Sequence, residues 1–174
     1  LEKLSQLTYL ELAYNKLTEV PKGLENLTKL EALGLSDNKL TNVKGLEGLS
    51  QLTDLNLERN QLTDVKGLEK LSQLTYLELA YNKLTNVKGL EKLPQLTRLY
   101  LYDNQLTDVK GLEKLTQLTW LDLRKNQLTE VPKGLEKLTQ LTELSLDFNK
   151  LTDVKGLEKL TKLTRLFLQG NPDL

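Results

Sequence analysis

Leucines fall along the chain at a spacing of three and then two, as in Leu74-Thr75-Tyr76-Leu77-Glu78-Leu79-Ala80-Tyr81-Asn82, and an asparagine closes each such run. The asparagines are Asn15, Asn38, Asn60, Asn82, Asn104, Asn126, Asn149 and Asn171, so the frame occurs eight times, at steps of 23, 22, 22, 22, 22, 23 and 22 residues. A fixed period in this range predicts a solenoid, in which each unit buries its apolar face only against its neighbours. Residues 1–174 are therefore expected to form a single domain of about eight repeats. Within a unit, the period of two in Leu77-x-Leu79 predicts a short strand with both leucines inward and the residues between them on the other face. Farther on, Val87, Leu90, Leu93 and Leu96 recur every third residue, which suits one helical or 3₁₀ turn with lysine and glutamate outward. Gly89 and its equivalents Gly23, Gly45, Gly67, Gly111, Gly134 and Gly156 are expected to allow a tight backbone approach at that turn.

The frame LxxLxLxxNxL resembles that of the leucine-rich-repeat family from Leu4 to Asn171, nearly the whole chain. Units such as Leu74 to Gln95 resemble the 22-residue class shared by bacterial internalins and the regulatory subunit of type 1 protein phosphatase. Two units with an extra proline, at Val20-Pro21-Lys22 and Val131-Pro132-Lys133, resemble a 23-residue class. The resemblance implies an α/β, right-handed solenoid, a horseshoe or arc. Its parallel β-sheet would line the concave face, with short 3₁₀ or helical turns on the convex face. It also implies an asparagine ladder, with each side-chain amide satisfying backbone groups of the loops above and below.

Lysine plus arginine and aspartate plus glutamate number 24 each, so the net charge is zero. That removes the electrostatic drive for general binding to nucleic acid or anionic membranes. No apolar run approaches a membrane span, and no signal peptide is visible, so the compartment is left open. Cysteine is absent, which excludes disulfide-bonded caps and thiol chemistry; histidine, the commonest metal ligand and general base, is absent too. No cofactor or metal site is expected. Without an initiator methionine, Leu1 is not a translation start, and the chain is expected to be a processed or excised piece of something longer, or a recombinant fragment.

Four positions per repeat vary: in the fourth they are Tyr76 and Glu78 on either side of Leu77, then Ala80 and Tyr81 before the asparagine. Every aromatic residue of the protein falls in these columns, and so does every arginine, namely Arg59, Arg98, Arg124 and Arg165. Tyrosine, tryptophan and arginine dominate protein-binding hot spots. The columns are therefore expected to form a protein- or peptide-binding face without catalytic function. The expected centre is Tyr76, Arg98, Tyr100, Tyr102, Trp120, Asp122 and Arg124, with the Arg98 guanidinium between the Tyr76 and Trp120 rings. Eight strands about 4.8 Å apart and four residues of about 3.3 Å give a face of roughly 500 Å², against about 800 Å² per partner in an ordinary interface. In the first four repeats Glu11, Asp37, Asp54, Glu58 and Glu78 face only Arg59, so a partner should be basic at that end.

The competing reading is a structural, self-associating or consensus-designed scaffold with no natural ligand. Aromatics favour strands by propensity alone, and residues 1–18 and 68–85 are identical. Leu1 and Leu4 open the chain with no recognisable cap, which predicts end-to-end stacking or a preceding segment, whereas residues 169–174 resemble a short C-terminal end. Glu78 and Asp122, two strands apart, are the one carboxylate pair at a spacing suggestive of glycoside hydrolysis. Catalysis is not expected of them, because no cleft is foreseen that would desolvate either carboxyl.

Overall fold

Three residues around the middle leucine of each frame are enough to make a strand. The computed structural model describes residues 1–174, and its strands are β1 (Tyr9–Glu11), β2 (Ala32–Gly34), β3 (Asp54–Asn56), β4 (Tyr76–Glu78), β5 (Arg98–Tyr100), β6 (Trp120–Asp122), β7 (Glu143–Ser145) and β8 (Arg165–Phe167). They form one eight-stranded sheet in chain order, every pair parallel. The register sets like against like: Leu55 pairs with Leu77 and Leu77 with Leu99. A strict repeat has this consequence, since a one-residue slip would turn the leucines to the opposite face. The molecule is a solenoid with its sheet on the concave side and short 3₁₀ turns on the convex side.

The core is one continuous cluster of 43 buried residues, all leucine or valine. With the interior filled this way, no aromatic ring is buried in it, and all are left to the surface of the sheet. Polar ladders run beside the core. Asn82 donates from Nδ2 to the Leu57, Leu79 and Ala80 carbonyls at 3.0, 3.1 and 3.2 Å, and its Oδ1 accepts from the Leu62 N–H at 2.9 Å. The inter-repeat bonds of each asparagine thus go to the preceding repeat alone, and the remainder close its own loop, rather than reaching loops on both sides. A second ladder was not anticipated: the Oγ1 of Thr75, Thr97 and Thr119 each donates to the carbonyl of the preceding threonine or its equivalent at 3.1–3.2 Å.

On the convex side, 3₁₀ turns occur at Leu24–Asn26, Leu68–Lys70, Leu90–Lys92, Leu112–Lys114, Leu135–Lys137 and Leu157–Lys159. Each follows a glycine in the left-handed region, such as Gly89 at φ 106°, which glycine adopts without a Cβ penalty. The glutamate two residues later is not merely solvated: Glu91 Oε2 accepts from the Gly89 N–H at 2.6 Å and Glu69 Oε2 from Gly67 at 2.7 Å. Hydrogen bonds to backbone groups, its own first and then Gly67, hold the Glu69 carboxyl below its ordinary value. The second unit lacks a 3₁₀ turn between β2 and β3, and there Gly48 stands where lysine or asparagine follows glutamate elsewhere. No helix is long and apolar enough to cross a membrane.

Candidate functional site

After each strand the chain turns off the sheet through the two residues before the asparagine. The second of these is left-handed in every repeat, Tyr81 at φ 53° and Lys125 at φ 51° among them. The turn leaves the N–H of the residue before it without a sheet partner, and the side chain of the last strand residue folds back to supply one. Glu11 accepts from Ala13, Asn56 from Glu58 and Glu78 from Ala80, each at 2.9 Å, and Asp122 accepts from Arg124 at 3.1 Å. This column therefore does structural work that the sequence pattern did not reveal. Glu78 and Asp122 are only 6% and 4% exposed.

The remaining positions project onto the concave face, and their rings meet on diagonals. Tyr76 and Tyr100 have centroids 5.4 Å apart, Tyr100 and Trp120 5.8 Å, and Tyr81 and Tyr102 5.2 Å, the last edge to face. Tyr100 thereby occupies the space between Tyr76 and Trp120 in which Arg98 was expected to stack. Arg98 is instead exposed, with neither an ion pair nor a ring beneath its guanidinium, so that expectation is corrected. The cation–π pairs are Arg59 over Tyr81 at 4.1 Å and Arg124 over Tyr102 at 4.3 Å. Both arginines also pair with acids, Arg59 with Glu58 at 3.5 Å and Arg124 with Asp122 at 3.2 Å. Of the seven residues singled out from sequence, Tyr76, Tyr100 and Trp120 form one continuous row. Tyr102, Arg124 and Asp122 form a second, and Arg98 stands apart.

A shallow depression of about 260 Å³ runs from Glu78, Tyr100 and Tyr102 past Trp120, Asp122 and Arg124 to Glu143, Asp147, Arg165 and Phe167. Its electrostatics depart from the sequence expectation that no carboxyl would be desolvated. Burial, reinforced by the charges of Glu58 and Asp122, pushes Glu78 up to about 8 against the opposing bond from Ala80. Burial also raises Asp122, although the Arg124 backbone bond and guanidinium pull the other way. Desolvation raises the phenols of Tyr76, to about 12, and of Tyr100 and Tyr102, so all three stay protonated at neutral pH. Larger grooves of about 450–470 Å³ lie between successive loops, as at Asp108, Lys110, Glu130 and Lys133. A third lies between the loops at Asp64 and Lys88, and apart from Pro132 their side chains are those of the repeat consensus.

The comparisons with known proteins agree with this architecture. The family model described as leucine-rich repeats (2 copies) matches residues 28–70 and 72–114, and a second, described as leucine rich repeat, matches residues 1–40 and 116–172. No curated protein matches the chain in sequence. Among solved structures, an internalin (inlF) from Listeria monocytogenes is 32% identical with a TM-score of 0.90, covering 97% of this chain and 49% of its own. An internalin C2 (inlC2) from the same species is 32% identical with a TM-score of 0.90, covering 94% of this chain and 71% of its own. A leucine-rich-repeat protein from Leptospira interrogans is 33% identical with a TM-score of 0.88, covering 96% of this chain and 50% of its own. The chain thus spans about half the length of the first and third of these relatives.

Proposed function

Because the chain belongs to the leucine-rich-repeat family, whose domains generally serve as protein-interaction modules, we propose that it is a non-catalytic module that binds a protein or peptide through its concave face. The observation that carries this reading is the packing of surface aromatics and arginines into a preformed patch over β4, β5 and β6. Rings and guanidinium planes held by one another lose little freedom on binding, which is what gives such side chains their weight at interfaces. Tyr76, Tyr100, Trp120 and Tyr102 supply the contact area, and Arg98 supplies an unpaired charge. Asp122 holds Arg124 in place from below. The depression is too shallow to enclose a drug-sized ligand, whereas a protein surface or extended peptide covers it together with the acidic repeats beside it.

Capture from a lysate of the source organism tests the reading. The intact chain is compared with a variant in which Tyr76, Arg98, Tyr102 and Trp120 are all serine, after circular dichroism shows that the variant is folded. A protein retained by the first and lost from the second is the expected result. Retention of the same set by both, or of copies of the chain alone, would overturn the assignment of binding to this face.

A further inference from the structure

Three acids near the centre of the concave face are held by arginines, whereas Glu78 and Asp147 have no cation, and Asp147 is satisfied by the Ser145 hydroxyl and the Gln169 N–H instead. Glu58 pairs with Arg59 at 3.5 Å, Asp122 with Arg124 at 3.2 Å and Glu143 with Arg165 at 3.5 Å. Glu78, the glutamate of this group most withdrawn from solvent, has no cation at either oxygen. Its Oε1 accepts from the Ala80 N–H. Its Oε2 accepts no hydrogen bond and, since no fully buried side-chain oxygen in the chain lacks a partner, opens onto the depression. The backbone bond does not account for the charge: Asn56 makes the equivalent bond to Glu58 with a neutral amide at the same 2.9 Å.

We infer that the β4–β6 end of the depression, which runs on over β7 and β8, seats one cationic side chain, a lysine or arginine of the protein partner, with Glu78 as its counter-ion and Tyr100 and Trp120 as its walls. The inference rests on the reading of the concave face as a recognition surface and names the chemistry recognised there. A nearly buried carboxylate is costly unless a charge of opposite sign reaches it, and ring faces attract cations once water is displaced. The ionisable groups about Glu78 are Glu58 beyond β3, Tyr76 on its own strand, Arg98, Tyr100 and Tyr102 from β5, and Asp122 and Arg124 from β6. The charges that act on it most are those of Glu58 and Asp122, both negative. In the free protein Glu78 therefore holds its proton up to about pH 8. An arriving ammonium or guanidinium stabilises the carboxylate, and the carboxyl proton passes to solvent. Affinity accordingly rises with pH until Glu78 is ionised without help.

Trp120 is the only tryptophan and lines the seat, so its emission reports occupancy. The probes are n-butylammonium and methylguanidinium, titrated at constant ionic strength, with n-butanol and butyrate as neutral and anionic controls. The expected result is a saturable change with the cations only, tighter by about tenfold or more at pH 8.5 than at pH 6, and abolished in Glu78→Gln. On the wild type, a ¹³C titration of the Glu78 carboxyl should move to lower pH in the presence of either cation, a readout that does not depend on the variant folding. No saturable response, a response unchanged by pH or by Glu78→Gln, or an unmoved carboxyl titration overturns the proposal. Failure here with a captured protein still lost from the fourfold serine variant removes the cation seat and leaves the recognition surface standing. Cation binding on a face from which no protein is lost overturns both.

Discussion

Tyr14, Asp37, Arg59, Tyr81, Asp103, Lys125 and Phe148 all sit at φ between 51° and 56°, a region that costs an L residue about 1–2 kcal/mol. Aspartate enters this region more readily than most L residues, whereas tyrosine, arginine, lysine and phenylalanine do so less often. The repeat nevertheless keeps these side chains at the lip of the concave face, where Tyr81 and Arg59 stack on each other. Tyr14 is 82% exposed and touches no other ring, so its strain is offset by nothing visible. Tyr14→Gly should raise stability by about 0.5–1 kcal/mol, the relief less the extra freedom of glycine in the unfolded chain. Thermal melting should show a rise of about 2–4 °C; a fall would place a hidden packing role on Tyr14. The position before the asparagine was legible in sequence as variable but not as left-handed, since glycine occupies it only at Gly170.

Among the outer turns, two glycines of opposite character separate backbone need from accident. Gly111 is left-handed at φ 104°, whereas Gly48 has no such φ and a Cβ added there meets nothing. Gly48→Ala should therefore stabilise by about 0.4–1 kcal/mol, and Gly111→Ala should destabilise by about 1 kcal/mol or more, both read from denaturant midpoints. The asparagine ladder is the other element-level device. Asn104→Ala removes the bonds to the Leu79 and Leu101 carbonyls and the acceptor for the Leu84 N–H, leaving buried backbone groups unpaired at a cost of about 2–4 kcal/mol. A loss under about 1 kcal/mol in urea unfolding would show that water replaces the amide. The ladder was implied by the resemblance of the asparagine frame to the leucine-rich-repeat family, and the glycine turns were readable from spacing because they recur at seven equivalent positions. The return bonds from Glu91 to Gly89 and from Thr97 to Thr75 were not, because exposed-looking glutamates and threonines give no hint of a backbone partner.

For the molecule taken together, the buried carboxyl at the centre of the sheet links folding to pH. Glu78 titrates at about 8 in the native state against an ordinary 4.5, so between those values the folded chain holds a proton that the unfolded chain has released. Stability therefore falls as pH rises through this interval, and Asp122, also raised, acts in the same direction. Glu78→Gln keeps an acceptor for the Ala80 N–H and removes the titration. Its stability should exceed that of the wild type above pH 8, by on the order of a few kcal/mol, and should vary less from pH 5 to 8. Equal pH profiles for the two proteins in guanidinium unfolding would show that Glu78 is solvated in the native state.

The period of the leucines by itself determined the solenoid, the parallel register and the composition of the core. Stacking identical units leaves one way to bury Leu77 against Leu55 and Leu99, and a filled leucine core leaves the sheet surface as the place for Tyr76, Tyr100 and Trp120. Only the tertiary structure decided which of those side chains meet. Contacts across the face run on diagonals set by how side chains lean along the strands, so Tyr100 rather than Arg98 separates Tyr76 from Trp120. Only there, too, does Glu78 become a carboxylate without a counter-ion. Its burial depends on the rings of neighbouring repeats and its field on Glu58 and Asp122, distances that a linear pattern does not contain.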